Sequence, residues 1–170
     1  MTEYRNRVLG LTELRNELLP LLLDEMRPEN GFDPMSRILK CHLLTEHVLE
    51  SLLRYCLEPN GDAVLSADLT YSKKLDIASK CMLVDDYQLL DSTTVGSLRK
   101  LNKLRNRIAH KFNTVVESSD VFALFVNVDH LMPIDQNETD IGLIAYHYCS
   151  FIFGHMLPKY ELSDDGNNAG

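Results

Sequence analysis

The sequence has no glycine-rich phosphate loop, no Gly-x-Ser-x-Gly turn and no Cys-x-x-Cys pair. Nothing in it calls for a nucleotide or metal cofactor. No apolar run approaches the ~18 residues of a membrane span, and the opening Met1-Thr2-Glu3-Tyr4-Arg5 lacks the pattern of a signal peptide. The chain is therefore expected to be cytoplasmic, with no membrane contact. Its four cysteines, Cys41, Cys56, Cys81 and Cys149, read as reduced thiols rather than a disulfide framework. Positive charge is scarce: 17 Lys+Arg stand against 25 Asp+Glu, for a formal net charge of −8. Such a surface does not coat DNA or a membrane, so any contact with nucleic acid must be local. There is also no internal repeat, no convincing alternating strand and no second domain.

What the sequence does contain is helix. Its 170 residues are 45% hydrophobic, enough for one domain with a real core. Residues 3–26 are rich in Leu and Glu, with Pro20 expected to kink or divide the helix. Residues 27–33 read as a turn, and Pro34 suits the first turn of the next helix, over 35–57. There Ile38, Leu39, Leu43, Leu44, Val48, Leu49, Leu52 and Leu53 recur at spacings of three and four. Pro59-Asn60-Gly61-Asp62 stops that helix. A further helix is expected over 71–82, and Asp91-Ser92-Thr93-Thr94 offers caps for the one that follows. A short apolar segment over 121–128 leads to a last helix over 139–157. The expected architecture is an all-α bundle of four to six helices. Residues 1–34 form an N-terminal segment of the same domain as 35–160, and 161–170 are expected to be a disordered tail.

The most informative stretch is Leu98-Arg99-Lys100-Leu101-Asn102-Lys103-Leu104-Arg105-Asn106-Arg107-Ile108-Ala109-His110-Lys111-Phe112. Six of the 17 basic residues fall between Arg99 and Lys111, with no Asp or Glu among them. At about 100° per residue, Leu98, Leu101, Leu104, Ile108 and Phe112 share one face. Asn102, Asn106 and His110 form a second stripe, and Arg105 lies at the edge of the apolar one. Arg forks onto phosphate oxygens and His exchanges a proton near neutral pH, the two abilities that RNA phosphodiester chemistry needs. On an ideal helix Arg105 and His110 point about 140° apart. One straight helix does not aim both at one point, although Arg is long enough to lean; the mismatch eases if the helix frays near His110 or if two copies face each other.

Arg105-Asn106-Arg107-Ile108-Ala109-His110 resembles the motif of the HEPN superfamily, an Arg followed after four to six residues by His, often with a polar residue directly after the Arg. By helix order the resemblance spans residues 35–157, and its specific residues lie within 98–112. It implies a helical bundle that forms a homodimer through the motif helix and, in active members, a metal-independent endoribonuclease. On that reading the ribose 2′-hydroxyl attacks phosphorus, leaving a 2′,3′-cyclic phosphate and a 5′-hydroxyl. His110 is the general acid or base, Arg105 steadies the phosphate and Asn106 orients one of them. Arg99, Asn102, Lys103, Arg107 and Lys111 would guide the RNA backbone. A toxin or defence effector is implied, with a cognate antitoxin or regulatory protein as a possible partner. One subgroup carries, two residues after the His, a Tyr that its antitoxin modifies; here that position is Phe112, which has no hydroxyl to modify. The alternative is a non-catalytic module, either an accessory subunit of a toxin–antitoxin or defence system or a regulator similar to the mannitol-operon repressors.

Other clusters read as structural. His42, Glu46 and Glu50 share a helix face, with His47 beside them, and suggest an ordinary polar surface more than a metal site. Glu46 has a second use open to it, pairing with Arg105 across the bundle. His147, Cys149 and His155 match no common zinc spacing and lie among Tyr146, Tyr148, Phe151 and Phe153, as packing residues do. Cys41 and His42 are adjacent, so on a helix they point about 100° apart and cannot serve as nucleophile and base together.

Overall fold

Seven helices and one small hairpin make up a computed structural model of the chain, which describes residues 2–27, 33–84, 87–110, 114–125, 135 and 137–157. In chain order they are α1 (Thr2–Glu25), α2 (Pro34–Cys56), α3 (Gly61–Leu65), α4 (Tyr71–Ala78), β1 (Met82–Val84), β2 (Tyr87–Gln88), α5 (Ser92–His110), α6 (Ser118–Phe122) and α7 (Ile141–Met156). The fold is all-α, as expected. It exceeds the expected four to six helices because α3 and α6, five residues each, fall in segments that carry no full helical period. The antiparallel pairing of β1 and β2 was not expected either, since five residues are too few to show alternation.

Short acceptor side chains set the helix starts. Asp33 accepts hydrogen bonds from the backbone N–H groups of Met35 and Ser36 at 3.0 and 3.1 Å, and Pro34 occupies the first turn of α2, where its missing N–H costs nothing. Asp91 accepts from the Thr94 N–H at 2.8 Å at the head of α5, and Asp140 accepts from the Leu143 N–H at 3.1 Å at the head of α7. Pro20, expected to kink or divide the first helix, lies inside α1, which runs unbroken from Thr2 to Glu25. Beyond α2, α3 approaches closely: a Cβ added at Gly61 would stand 2.6 Å from the Cα and carbonyl oxygen of Arg54, so the position accepts only glycine. Arg54 and Asp62 then pair at 3.0 Å across the turn.

α2 is the hub, packed against α7, α4, α5 and α3, while α1 leans on α7 and α2. Ile38, Cys41, Val48, Leu49, Leu52 and Leu53 form its buried face, and Leu98, Leu101, Leu104 and Ile108 bury the apolar stripe of α5 as its spacing predicts. Each such burial is worth ~1.5–3 kcal/mol. Leu43 departs from expectation and is 62% exposed, because Cys41 and Thr45 take the inward positions beside it. From α7, Tyr148 reaches the centre of the core, where its hydroxyl lies 2.9 Å from Ser97 Oγ of α5. Leu11 and Leu22 bury part of α1 against this core, with Met26 just beyond the helix, and the side chain of Arg37 donates to the Met26 carbonyl oxygen. Among the described residues no helix is long and apolar enough to cross a membrane. The expected tail over 161–170, and also Lys111 and Phe112, lie outside the described residues.

Candidate functional site

α5 carries two kinds of neighbour on its two flanks. One flank borders α2 and the start of α4, and between them lies a cleft of about 420 Å³ lined by His42, Glu46, Thr70, Tyr71, Ser72, Asn102, Arg105 and Asn106. Its lining is mainly polar. Asn102 and Asn106 are four residues apart, so one stripe of α5 delivers both, and the long Arg105 side chain leans in from the edge of the apolar face. Arg105 is half-buried, and its Nη1 donates to Asn106 Oδ1 at 3.0 Å. Among the described residues it has no carboxylate partner. A guanidinium in that position keeps most of its donors for an incoming anion.

The other cations of α5 are differently placed. Arg99 pairs with Asp76 of α4 at 3.1 Å, and Lys100 donates to the carbonyl oxygen of Ala123 at 2.9 Å. Arg107 reaches Asp120 of α6 at 2.6 Å. Burial pushes the Asp120 carboxyl up, but the bond from Arg107 and the Glu117 N–H outweigh it and hold it below the usual range. Lys103 is exposed, and with Arg107 it borders a separate groove of about 230 Å³ between α5 and α6. The residues expected to guide an RNA backbone are thus divided: Asn102 faces the cleft, Lys103 and Arg107 line the groove, and Arg99 turns to α4.

His110 ends α5 and is exposed, and it is not among the residues lining the cleft. The described chain therefore brings Arg105 and Asn106 together and leaves His110 apart, as the 140° separation predicts. The histidine inside the cleft is His42. Its Nε2 lies 3.0 Å from Asn102 Oδ1, and Asn102 Nδ2 in turn donates to Ser72 Oγ at 3.1 Å. The His42 ring rests on that of Tyr71, with centroids 4.2 Å apart. The Tyr71 hydroxyl lies 3.0 Å from Thr45 Oγ1, and Thr45 donates to the carbonyl oxygen of His42 at 2.8 Å. Burial holds the His42 imidazole below its ordinary pKa; the bond to Asn102 and the nearby Glu46 push it up, and Arg105 pushes it down. Burial also pushes the Tyr71 phenol well up. The spacing of His42 and Glu46 on one face hinted at this site, but the pairing with Asn102 joins segments sixty residues apart.

Glu46 does not pair with Arg105. Lys74 of α4 takes it, at 2.7 Å, together with Glu50 at 2.6 Å. Burial works against the ammonium, yet these two carboxylates outweigh it and hold Lys74 above its ordinary pKa. The lysine thus occupies the position that a cation bridging Glu46 and Glu50 would take, and among the described residues no group of three or more His, Cys, Asp or Glu is placed to hold a metal. Cys41 turns into the core and His42 into the cleft, the divergence expected of neighbours on a helix. Cys149 is also fully buried, and burial and the adjacent Cys41 push its thiol well up. His155 sits beside the Phe151 ring and 3.9 Å from Asp91.

No family model matches the chain, and its comparison with curated proteins and with solved structures returned no relative.

Proposed function

We propose that the chain is an RNA-cleaving enzyme of the HEPN type, acting as a homodimer on phosphodiesters held in the α5 cleft. The observation that carries this reading is the half-buried Arg105 guanidinium, fixed by Asn106 and without a carboxylate partner among the described residues, in a polar cleft. Such a group binds and stabilises the charge that builds on a phosphate oxygen as the 2′-hydroxyl attacks phosphorus and the bond to the 5′ oxygen breaks. Within one copy His110 lies outside the cleft, and on this reading the α5 of a second copy brings its His110 to it as general acid or base. Pairing two such helices puts two Arg and two His around one cleft.

The test is cleavage of a mixed-sequence RNA by purified protein in EDTA, with Arg105→Ala and His110→Ala alongside. Wild-type cleavage to cyclic-phosphate and 5′-hydroxyl ends, reduced at least ~10²-fold in each variant, is the expected result. A folded dimer that leaves several RNAs intact overturns it. A second reading, a non-catalytic binding or regulatory module, draws on the internal pairing of Arg99, Lys100 and Arg107. Under that reading His110→Ala leaves partner binding unchanged.

A further inference from the structure

His42 is 3% exposed, and its two ring nitrogens differ in kind. Asn102 donates its amide N–H to Ser72, so its Oδ1 is the acceptor and His42 Nε2 the donor. Nδ1 then carries the lone pair, and among the described residues it is buried with no hydrogen-bond partner. Among the described residues, the charged and titratable groups around the ring are Glu46 on its own helix, whose carboxylate Lys74 already holds, Tyr71 on α4 and Arg105 on α5. The neutral ring fixes the Asn102 amide on Ser72. Ser72 Oγ accepts from Asn102, which leaves its own O–H to donate to a ligand. Asn106 Oδ1 accepts from Arg105, which likewise leaves the Asn106 N–H groups as donors. Arg105, Ser72 and Asn106 together form a donor set for an anion.

We propose that His42 is the positioning residue of this cleft and its proton switch, taking up a proton when a phosphodiester anion settles on Arg105. The inference rests on the reading that the cleft takes phosphodiesters. The unliganded cleft disfavours a second cation because the ring is buried beside Arg105. A bound anion cancels that repulsion, so occupancy and protonation favour each other by the same free energy. Affinity therefore rises as the pH falls through the histidine range, by about tenfold for each unit by which the anion raises the titration midpoint of His42.

The experiment uses the full chain and a 2′-deoxy tetranucleotide, which keeps its diester charge throughout this range and has no 2′-hydroxyl to react. The ring-proton resonance of His42, assigned by its loss in His42→Gln, is titrated with and without saturating oligonucleotide, and affinity is measured at pH 7.5 and 5.5. The expected result is a midpoint raised by the ligand and tighter binding at the lower pH. Gln supplies an amide donor for Asn102 but takes up no proton. It recovers affinity lost in His42→Ala at pH 7.5 and shows no tightening at pH 5.5. Binding that depends on Arg105 (lost in Arg105→Ala) with an unmoved His42 midpoint, or equal tightening in His42→Gln, overturns this inference alone. The absence of any Arg105-dependent binding overturns it together with the reading of the cleft on which it rests.

Discussion

Replacing Lys74 with Met keeps most of the apolar stem of the side chain and removes the ammonium that Glu46 and Glu50 hold. The lysine side chain retains 10% of its exposure, and its two partners, Glu46 and Glu50, retain 26% and 28%. Removing one partner of a fully buried ion pair costs about 3–5 kcal/mol, whereas an exposed pair is worth about 0–1. Carboxylates still a quarter open to water fall between those limits, and the expected loss is about 2–3 kcal/mol. For a domain of this size that lowers Tm by roughly 5–10 °C. Circular dichroism at pH 7 reads it, and a cycle with Glu46→Gln and Glu50→Gln isolates the charge: Lys74→Met in that neutral background should lose less than half as much. The variant also frees Glu46 inside the cleft, where it competes with an anion for Arg105. Oligonucleotide affinity should therefore fall in Lys74→Met and return when Glu46→Gln is added. A Lys74→Met protein within about 0.5 kcal/mol of wild type would refute the reasoning, because its carboxylates would then behave as ordinary surface groups.

Asp91→Ala removes the cap of α5 and should destabilise the protein by about 1–2 kcal/mol, with Asp91→Asn retaining most of the difference. Burial pushes the Asp91 carboxyl up, but its bonds to Thr94 prevail, with help from Thr93 and His155, and hold it below its ordinary value. The charge-dependent part of its contribution is thus complete above about pH 4 and is lost as the pH drops through the folded-state pKa, so the gap between Ala and wild-type stabilities should narrow in acid denaturation curves. For His42 the folded value also lies below the unfolded one. The stability it confers is present above about pH 6.5 and declines as the pH falls toward the folded value. Urea midpoints at pH 7.5 and 5.5 should show that decline in wild type and a smaller one in His42→Gln; equal slopes would count against a buried neutral imidazole.

The buried stripes were legible because burial repeats with the helix period. Leu98, Leu101, Leu104 and Ile108 needed only their spacing to be placed. Leu43 shows where that reasoning stops, since a face is fixed by what it packs against and Cys41 and Thr45 proved the better fit. The same limit applies to the site. Periodicity put Glu46 on one polar face of α2 with His42 and Glu50, yet it could not say that Lys74 of α4, rather than Arg105 of α5, would be nearest. His42 was visible only as a member of a polar helix face with Glu46 and Glu50. Its role depends on Tyr71 and Asn102, and their proximity comes from how three helices pack and not from any local pattern. The mismatch between Arg105 and His110 was legible from helix geometry alone. The short elements α3, α6, β1 and β2 left no periodic trace.

The divergence of Cys41 and His42 has a consequence for how this molecule can vary. α2 is a partition between a dry compartment and a wet one, and consecutive residues of it serve opposite sides. Substitutions can adjust either side separately. A single residue inserted near the start of α2 would rotate everything after it by about 100°, moving His42 off the cleft and disturbing the core in one step. The wall tolerates changes of side chain at individual positions but not a change of phase, so length variation should be confined to the connections between helices.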